Sequence, residues 1–216
     1  MPGIALEREG FVVVGGSRLE YRFAGPQPDQ APTIILMHEG LGSAGLWGDF
    51  LPMLAQSTGA GVFAFSRGGY GASDPVPLPR PMGYMHDEAL EILPVLLEEI
   101  QFREGVFVGH SDGASISAIY AGGVEDERLR GICVIAPHFF IEDISVASVE
   151  AAKIAYEEND LRKKLARWHT NVDIAFRGWN DAWRNPDFRA WNISEYLPHI
   201  KVPVMAIQGA SACETR

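Results

Sequence analysis

The sequence predicts an α/β protein, with a mostly parallel, twisted sheet and helices on both faces. Two observations carry this, and a third marks its exception. Short, wholly apolar runs recur at 33–37, 61–65, 105–108, 131–136 and 202–207. Each is too short for a helix and apolar on both sides, as strands of a sheet covered on both faces must be. Helical patterns lie between these runs, and strand–helix alternation implies right-handed crossovers. The alternation breaks once, between 139 and 198, where no buried strand run occurs.

Taken in order, GFVVV (10–14) and RLEYRFA (18–24) read as two strands joined by Gly15-Gly16-Ser17, a hairpin signal. PQPDQAP (26–32) is a polar loop, and Thr33–Met37 is the first buried strand. Residues 44–57 predict one helix. Over 84–101, Leu90, Leu93, Leu97 and Ile100 repeat at helical spacing, with Pro94 placed to kink or divide the helix. Residues 112–122 predict another helix. The 139–198 segment holds a charged helical pattern, Val149–Trp168, and then an aromatic, loop-like stretch over 178–192. Trp168, Trp179, Trp183 and Trp191, four of the five tryptophans, fall here. The expected division is a core of 1–138 and 199–216, with a helical insertion at 139–198 covering one end of the sheet.

Composition narrows the function. Asp and Glu number 28 against 18 Lys and Arg, a net charge of −10 with no basic run. Nucleic acid is therefore a poor partner, because phosphate binding needs clustered cations. No apolar stretch approaches the ~18 residues of a membrane span, and MPGIALEREG lacks the layout of a signal peptide. Cys133 and Cys213 make no disulfide framework. The expectation is a soluble, cytoplasmic protein acting on a small molecule.

The strongest chemical signal is Gly109-His110-Ser111-Asp112-Gly113, a G-x-S-x-G pentapeptide after a buried strand and before a helix. An ordinary glycine-bounded turn is the alternative, but the flanking elements favour a nucleophile elbow. The turn is tight enough to strain Ser111 and to require small residues at 109 and 113. It presents the serine hydroxyl at a helix N-terminus, where developing negative charge is favoured. Acyl transfer also needs two N–H donors for the oxyanion. Asp112, after the nucleophile, supplies one. Gly40, in the His38-Glu39-Gly40-Leu41-Gly42-Ser43 loop after the 33–37 strand, is placed to supply the other. A metal reading of His38-Glu39 is weak, since no second histidine follows at ligand spacing. The glycine-rich Ser66–Asp74 segment lacks both nucleotide-binding spacings.

These signals, in this order, resemble the α/β-hydrolase superfamily. Its H-G-x loop corresponds to His38-Glu39-Gly40, its [DR]-x-x-G-x-G-x-S segment to Arg67–Ser73, and its elbow to 109–113. The resemblance covers about residues 10–209 and is nearest to serine hydrolases of the esterase, proline-iminopeptidase and carbon–carbon hydrolase type. It implies that 139–198 is the cap. Glu39 departs from the family's usual glycine.

The family order is nucleophile, acid, histidine. Here the seventh strand, 202–207, is followed only by Gln208 to Arg216, with Glu214 the sole carboxylate and no histidine after His199. The expectation is an α/β-hydrolase fold cut short of its last strand and helix. The histidines present offer no obvious base. His110 points away from Ser111, His38 braces its loop, His86 is solvated, and His169 and His199 belong to the insertion and its exit. His138, after the sixth strand, is the substitute base to consider.

The function expected is a cofactor-free, metal-free serine hydrolase of a small ester, amide or related carbonyl compound. Ser111 is its nucleophile, with the Asp112 and Gly40 N–H groups as oxyanion donors. Its pocket is expected to include His38, Glu39, His138, Trp179 and Trp183. The alternative is a catalytically inactive homologue that only binds a ligand, or a fragment. As given, the chain is expected to be nearly inactive, and its seventh strand to be an open edge favouring a homodimer.

Overall fold

The computed structural model describes residues 5–209; Cys213 and Glu214 lie outside them. Seven strands form one sheet among the described residues: β1 (Glu9–Val14), β2 (Ser17–Ala24), β3 (Thr33–Met37), β4 (Gly61–Phe65), β5 (Gly105–His110), β6 (Leu129–Ile135) and β7 (Val204–Ile207). Their order is β1-β2-β4-β3-β5-β6-β7. β1 and β2 form the expected hairpin, β2 runs antiparallel to β4, and the remaining pairs are parallel. The register aligns Met37 with both Phe65 and Gly109. The loops that leave β3, β4 and β5 therefore emerge side by side at one end of the sheet.

The two-sided apolar runs divide between two layers. Ile35, Met37, Phe63, Phe65 and Phe107 face the larger core, packed with Leu93, Leu96, Leu97, Ile116 and Ile119. Ile34, Leu36, Val62 and Ala64 face the opposite side, under Leu51 and Ala55. β7 stands apart, since all four of its residues are exposed, Met205 to 62%.

Several helices differ from the sequence expectation. The 44–57 helix is two pieces, a 3₁₀ turn (Ala44–Trp47) and α1 (Phe50–Thr58), divided at Gly48. The 84–101 helix runs as α2 (Tyr84–Asp87), a π turn (Glu88–Ile92) and α3 (Leu93–Glu99). Pro94 has no N–H to donate to Leu90 and its ring crowds that carbonyl, and the π turn relieves this by widening the helix there. α4 (Asp112–Gly123) follows β5 as expected.

Between β6 and β7 come α5 (Asp143–Glu158), α6 (Leu161–Leu165) and α7 (Val172–Arg184), then a 3₁₀ turn at Pro186–Ala190. α7 corrects the loop reading of 178–184. Its buried residues Val172, Ala175, Phe176 and Trp183 recur on one helical face, and that burial outweighs the poor helix propensity of Gly178, Asn180 and Asp181. Phe176 stacks on Tyr156 of α5 at 3.7 Å between ring centroids. No described helix is long and apolar enough to cross a membrane.

Candidate active site

The β5–α4 turn puts Ser111 at φ 52°, ψ −117°, a conformation that strains any residue with a side chain. The flanking glycines are forced by backbone, not by flexibility. A Cβ on Gly109 would lie 2.2 Å from the Gly113 carbonyl oxygen, and one on Gly113 would lie 2.2 Å from that of Met37. The Ser111 N–H donates to Ile135 O at 2.9 Å, pinning the turn to β6. Its carbonyl accepts from the Ala114 and Ser115 N–H groups at 2.9 and 3.1 Å. Among the described residues, hydrogen bonds at Ser111 thus engage its backbone. As the first residue of α4, Asp112 has an N–H with no partner inside the helix.

Ser111 opens into a cavity of about 350 Å³. Glu39, Gly40, His110, His138, Trp179 and Trp183 share its walls. The Trp179 indole lies against Gly40, where a Cβ would stand 2.1 Å from its Nε1. Trp183 meets the His138 ring edge-on at 4.9 Å. The other two tryptophans of the segment lie elsewhere. Trp168 is 44% exposed and covers Gly45, while Trp191 is buried against Phe188.

His38 does not reach the cavity, contrary to the expectation that it lines the pocket. It is buried behind the loop, with Nδ1–H donating to Glu39 O at 2.6 Å and Nε2 accepting the Arg67 N–H at 3.1 Å. Burial, then the Arg67 charge, hold its pKa well below the ordinary histidine value. The His110 ring turns toward Glu39, with Nδ1 3.5 Å from the carboxylate. That contact outweighs burial and raises the His110 pKa. Burial opposes ionisation of Glu39, but the same contact brings its pKa below the usual carboxylate value.

Burial lowers the His138 pKa below the ordinary histidine value, and its Nδ1 is buried with no partner among the described residues. His86 is half-buried between Trp191 and Tyr196, so the expectation of solvation fails. His169 links two loops. Its Nδ1 accepts the Gly71 N–H at 2.9 Å and its Nε2–H donates to Leu41 O at 3.0 Å.

Beneath the cavity lies a buried ion pair that sequence reasoning missed. Arg67 and Asp112, 1% and 0% exposed, approach to 3.6 Å. Arg67 also donates to Glu39 O at 3.0 Å, and the Tyr84 hydroxyl donates to Asp112 Oδ2 at 2.6 Å. Both charged residues stand inside the two glycine-rich motifs, the signal that could have singled them out.

The histidines set a pH dependence. His38 and His169 each accept a backbone N–H and are buried, so burial keeps both pKa values below about 6.5, the unfolded value. Between those limits the unfolded chain binds protons that the native one does not. Stability is therefore fully present above about pH 6.5 and lost as pH falls through the native values. The half-exposed His110 acts in the opposite direction and more weakly. The melting temperature is expected to drop between about pH 7 and pH 5.5, and less so in His169→Gln. A melting temperature that is flat or rises on acidification would contradict this.

A protein-family model described as the alpha/beta hydrolase fold matches residues 32–189. The chain therefore belongs to the α/β-hydrolase family, a family of hydrolases. Among curated proteins it is similar to a proline iminopeptidase of Lactobacillus helveticus, 27% identical over 124 residues, which are 57% of this chain and 42% of that protein. The chain thus spans under half the length of this relative. Among solved structures it resembles a hydrolase of Pseudomonas aeruginosa (TM-score 0.69, 18% identity, 96% of this chain and 83% of that one). It also resembles the enol-lactonase of Burkholderia xenovorans LB400 (TM-score 0.65, 19% identity, 93% and 81%). These structural likenesses speak to the fold.

Proposed function

We propose that the chain is a serine hydrolase of a small ester, amide or related carbonyl substrate, with Ser111 as nucleophile. The observation that carries this reading is the strained Ser111 at the strand–helix turn, opening into a cavity with two tryptophan walls. Ser111 Oγ bonds to the carbonyl carbon, the oxyanion collects between the Asp112 and Gly40 N–H groups, and the bond to the leaving oxygen or nitrogen breaks as the Ser111 hydroxyl proton passes through solvent water to it, releasing the alcohol or amine. Water then releases the acyl group from Oγ. The 139–198 segment serves as the cap, through Trp179 and Trp183. A cytoplasmic location is proposed on the composition alone, and a homodimer through the exposed edge of β7, which size-exclusion chromatography checks.

The Ser111 hydroxyl has no base as a hydrogen-bond partner among the described residues, which favours weak turnover or ligand binding alone. In triad enzymes, loss of one member leaves ~10³–10⁴-fold catalysis over water. Slow hydrolysis of p-nitrophenyl acetate is therefore expected, with the acetyl group found by mass spectrometry on Ser111 and absent from Ser111→Ala. Acetylation only at other residues would overturn the nucleophile assignment. Fast turnover abolished in Ser111→Ala would instead place the base within this chain, with His138 as the candidate.

A further inference from the structure

Tyr84, the first residue of α2, stands between the elbow and the inserted helices. It is buried, 2% exposed, and its hydroxyl makes two hydrogen bonds. It donates to Asp112 Oδ2 at 2.6 Å and accepts from Trp183 Nε1 at 3.0 Å. A hydroxyl has one proton to give, so donation to the carboxylate leaves its lone pairs for the indole. Asp112 is held from the other side by Arg67, which also donates to Glu39 O beside Gly40. One unbroken polar chain therefore runs from the cavity wall, through Tyr84 and the buried ion pair, to the loop that carries Gly40. Trp183 is the only cavity-lining member of this chain that belongs to the inserted helices.

We propose that Tyr84 is a positioning residue that makes Trp183 and the Asp112 peptide move as one body, so that a ligand pressing on Trp183 is registered at the Asp112 N–H. The proposal rests on the serine-hydrolase reading for its use, since that N–H matters as an oxyanion donor. The coupling itself is a property of the fold. It makes the fit of the acyl group against the indole set the alignment of the donor, a way of passing substrate shape to the reacting carbon without contact. Small displacements suffice, because donors act only when aimed at the developing oxyanion.

The test is Tyr84→Phe, which keeps the ring and removes both hydrogen bonds. In ¹H–¹⁵N spectra the Trp183 indole N–H, identified by its loss in Trp183→Phe, is expected to shift and to exchange with solvent faster, and the Asp112 amide to shift with it. Acetylation of Ser111 by p-nitrophenyl acetate is expected to slow about tenfold, a fraction of the ~10²-fold or greater cost of deleting an oxyanion donor outright. An unchanged Asp112 amide and an unchanged acetylation rate would overturn the proposal. Should Tyr84→Phe fail to fold, Trp183→Phe decides. It leaves the Tyr84–Asp112 bond in place, so a shifted Asp112 amide supports the coupling and an unmoved one refutes it. Absence of Ser111 acetylation in the wild type would count against the serine reading, while the spectra still judge the coupling.

Discussion

Arg67→Met is expected to destabilise the protein by about 3–5 kcal/mol, the cost of leaving one member of a buried ion pair alone. Asp112 is fully buried, and without Arg67 its carboxylate keeps, among the described residues, only the Tyr84 hydroxyl as a partner. The Glu39 carbonyl loses a donor as well. Methionine fills much of the same space, so the loss is electrostatic and not a cavity effect. Against a total of ~5–15 kcal/mol for a typical domain, this is a large fraction. The melting temperature should fall by roughly 6–20 °C. Removing both charges, as in Arg67→Met with Asp112→Leu, should recover part of the loss, because well-packed apolar pairs can replace buried ion pairs. Denaturant melts of the single and double variants check this. A single variant within about 1 kcal/mol of wild type would mean that Asp112 is not held as a buried charge.

Gly113→Ala is expected to be worse, and to prevent formation of the native sheet end. The new methyl would stand 2.2 Å from Met37 O and 2.5 Å from Met37 C, both backbone atoms of the neighbouring strand. No rotamer change relieves that clash. Either β3 and α4 separate or the elbow unwinds, and both disrupt the packing around Phe107 and Ala114. The penalty should exceed ~4 kcal/mol, the range that signals a specific mechanism. Gly83→Ala is the control. It has open space around its Cα and φ of −84°, so it should stay within about 0.5 kcal/mol of wild type. Similar melts for the two variants would disprove the close approach at 113.

The strands were legible because their signal is local. Runs such as TIILM and GVFAF have no polar side to offer water, so burial on both faces is their only stable use. The elbow was legible for the same reason, being one strand, one turn and one helix contiguous in the chain. α7 was not, because its apolar face of Val172, Phe176 and Trp183 is interleaved with Asp173, Arg177, Asn180 and Asp181. Its helicity follows from what covers it. The Arg67–Asp112 pair was hidden more deeply. Charged residues are rarely fully buried unless paired, and the two partners meet only because parallel strands place their loops side by side. His86 was misjudged for a like reason, since the acidic residues near it in sequence are not its neighbours in space; Trp191 and Tyr196 are.

The indole of Trp179 resting on the Cα of Gly40 has a consequence for how this cavity can change over generations. A side chain at 40 collides with that ring as it lies, so a substitution there requires Trp179 to move. A smaller residue at 179 is tolerable, because it only opens space. The two positions are therefore coupled, since a larger residue at 40 needs a displaced or smaller side chain at 179. Reshaping this side of the cavity therefore involves Trp179 of α7 together with the loop that carries Gly40.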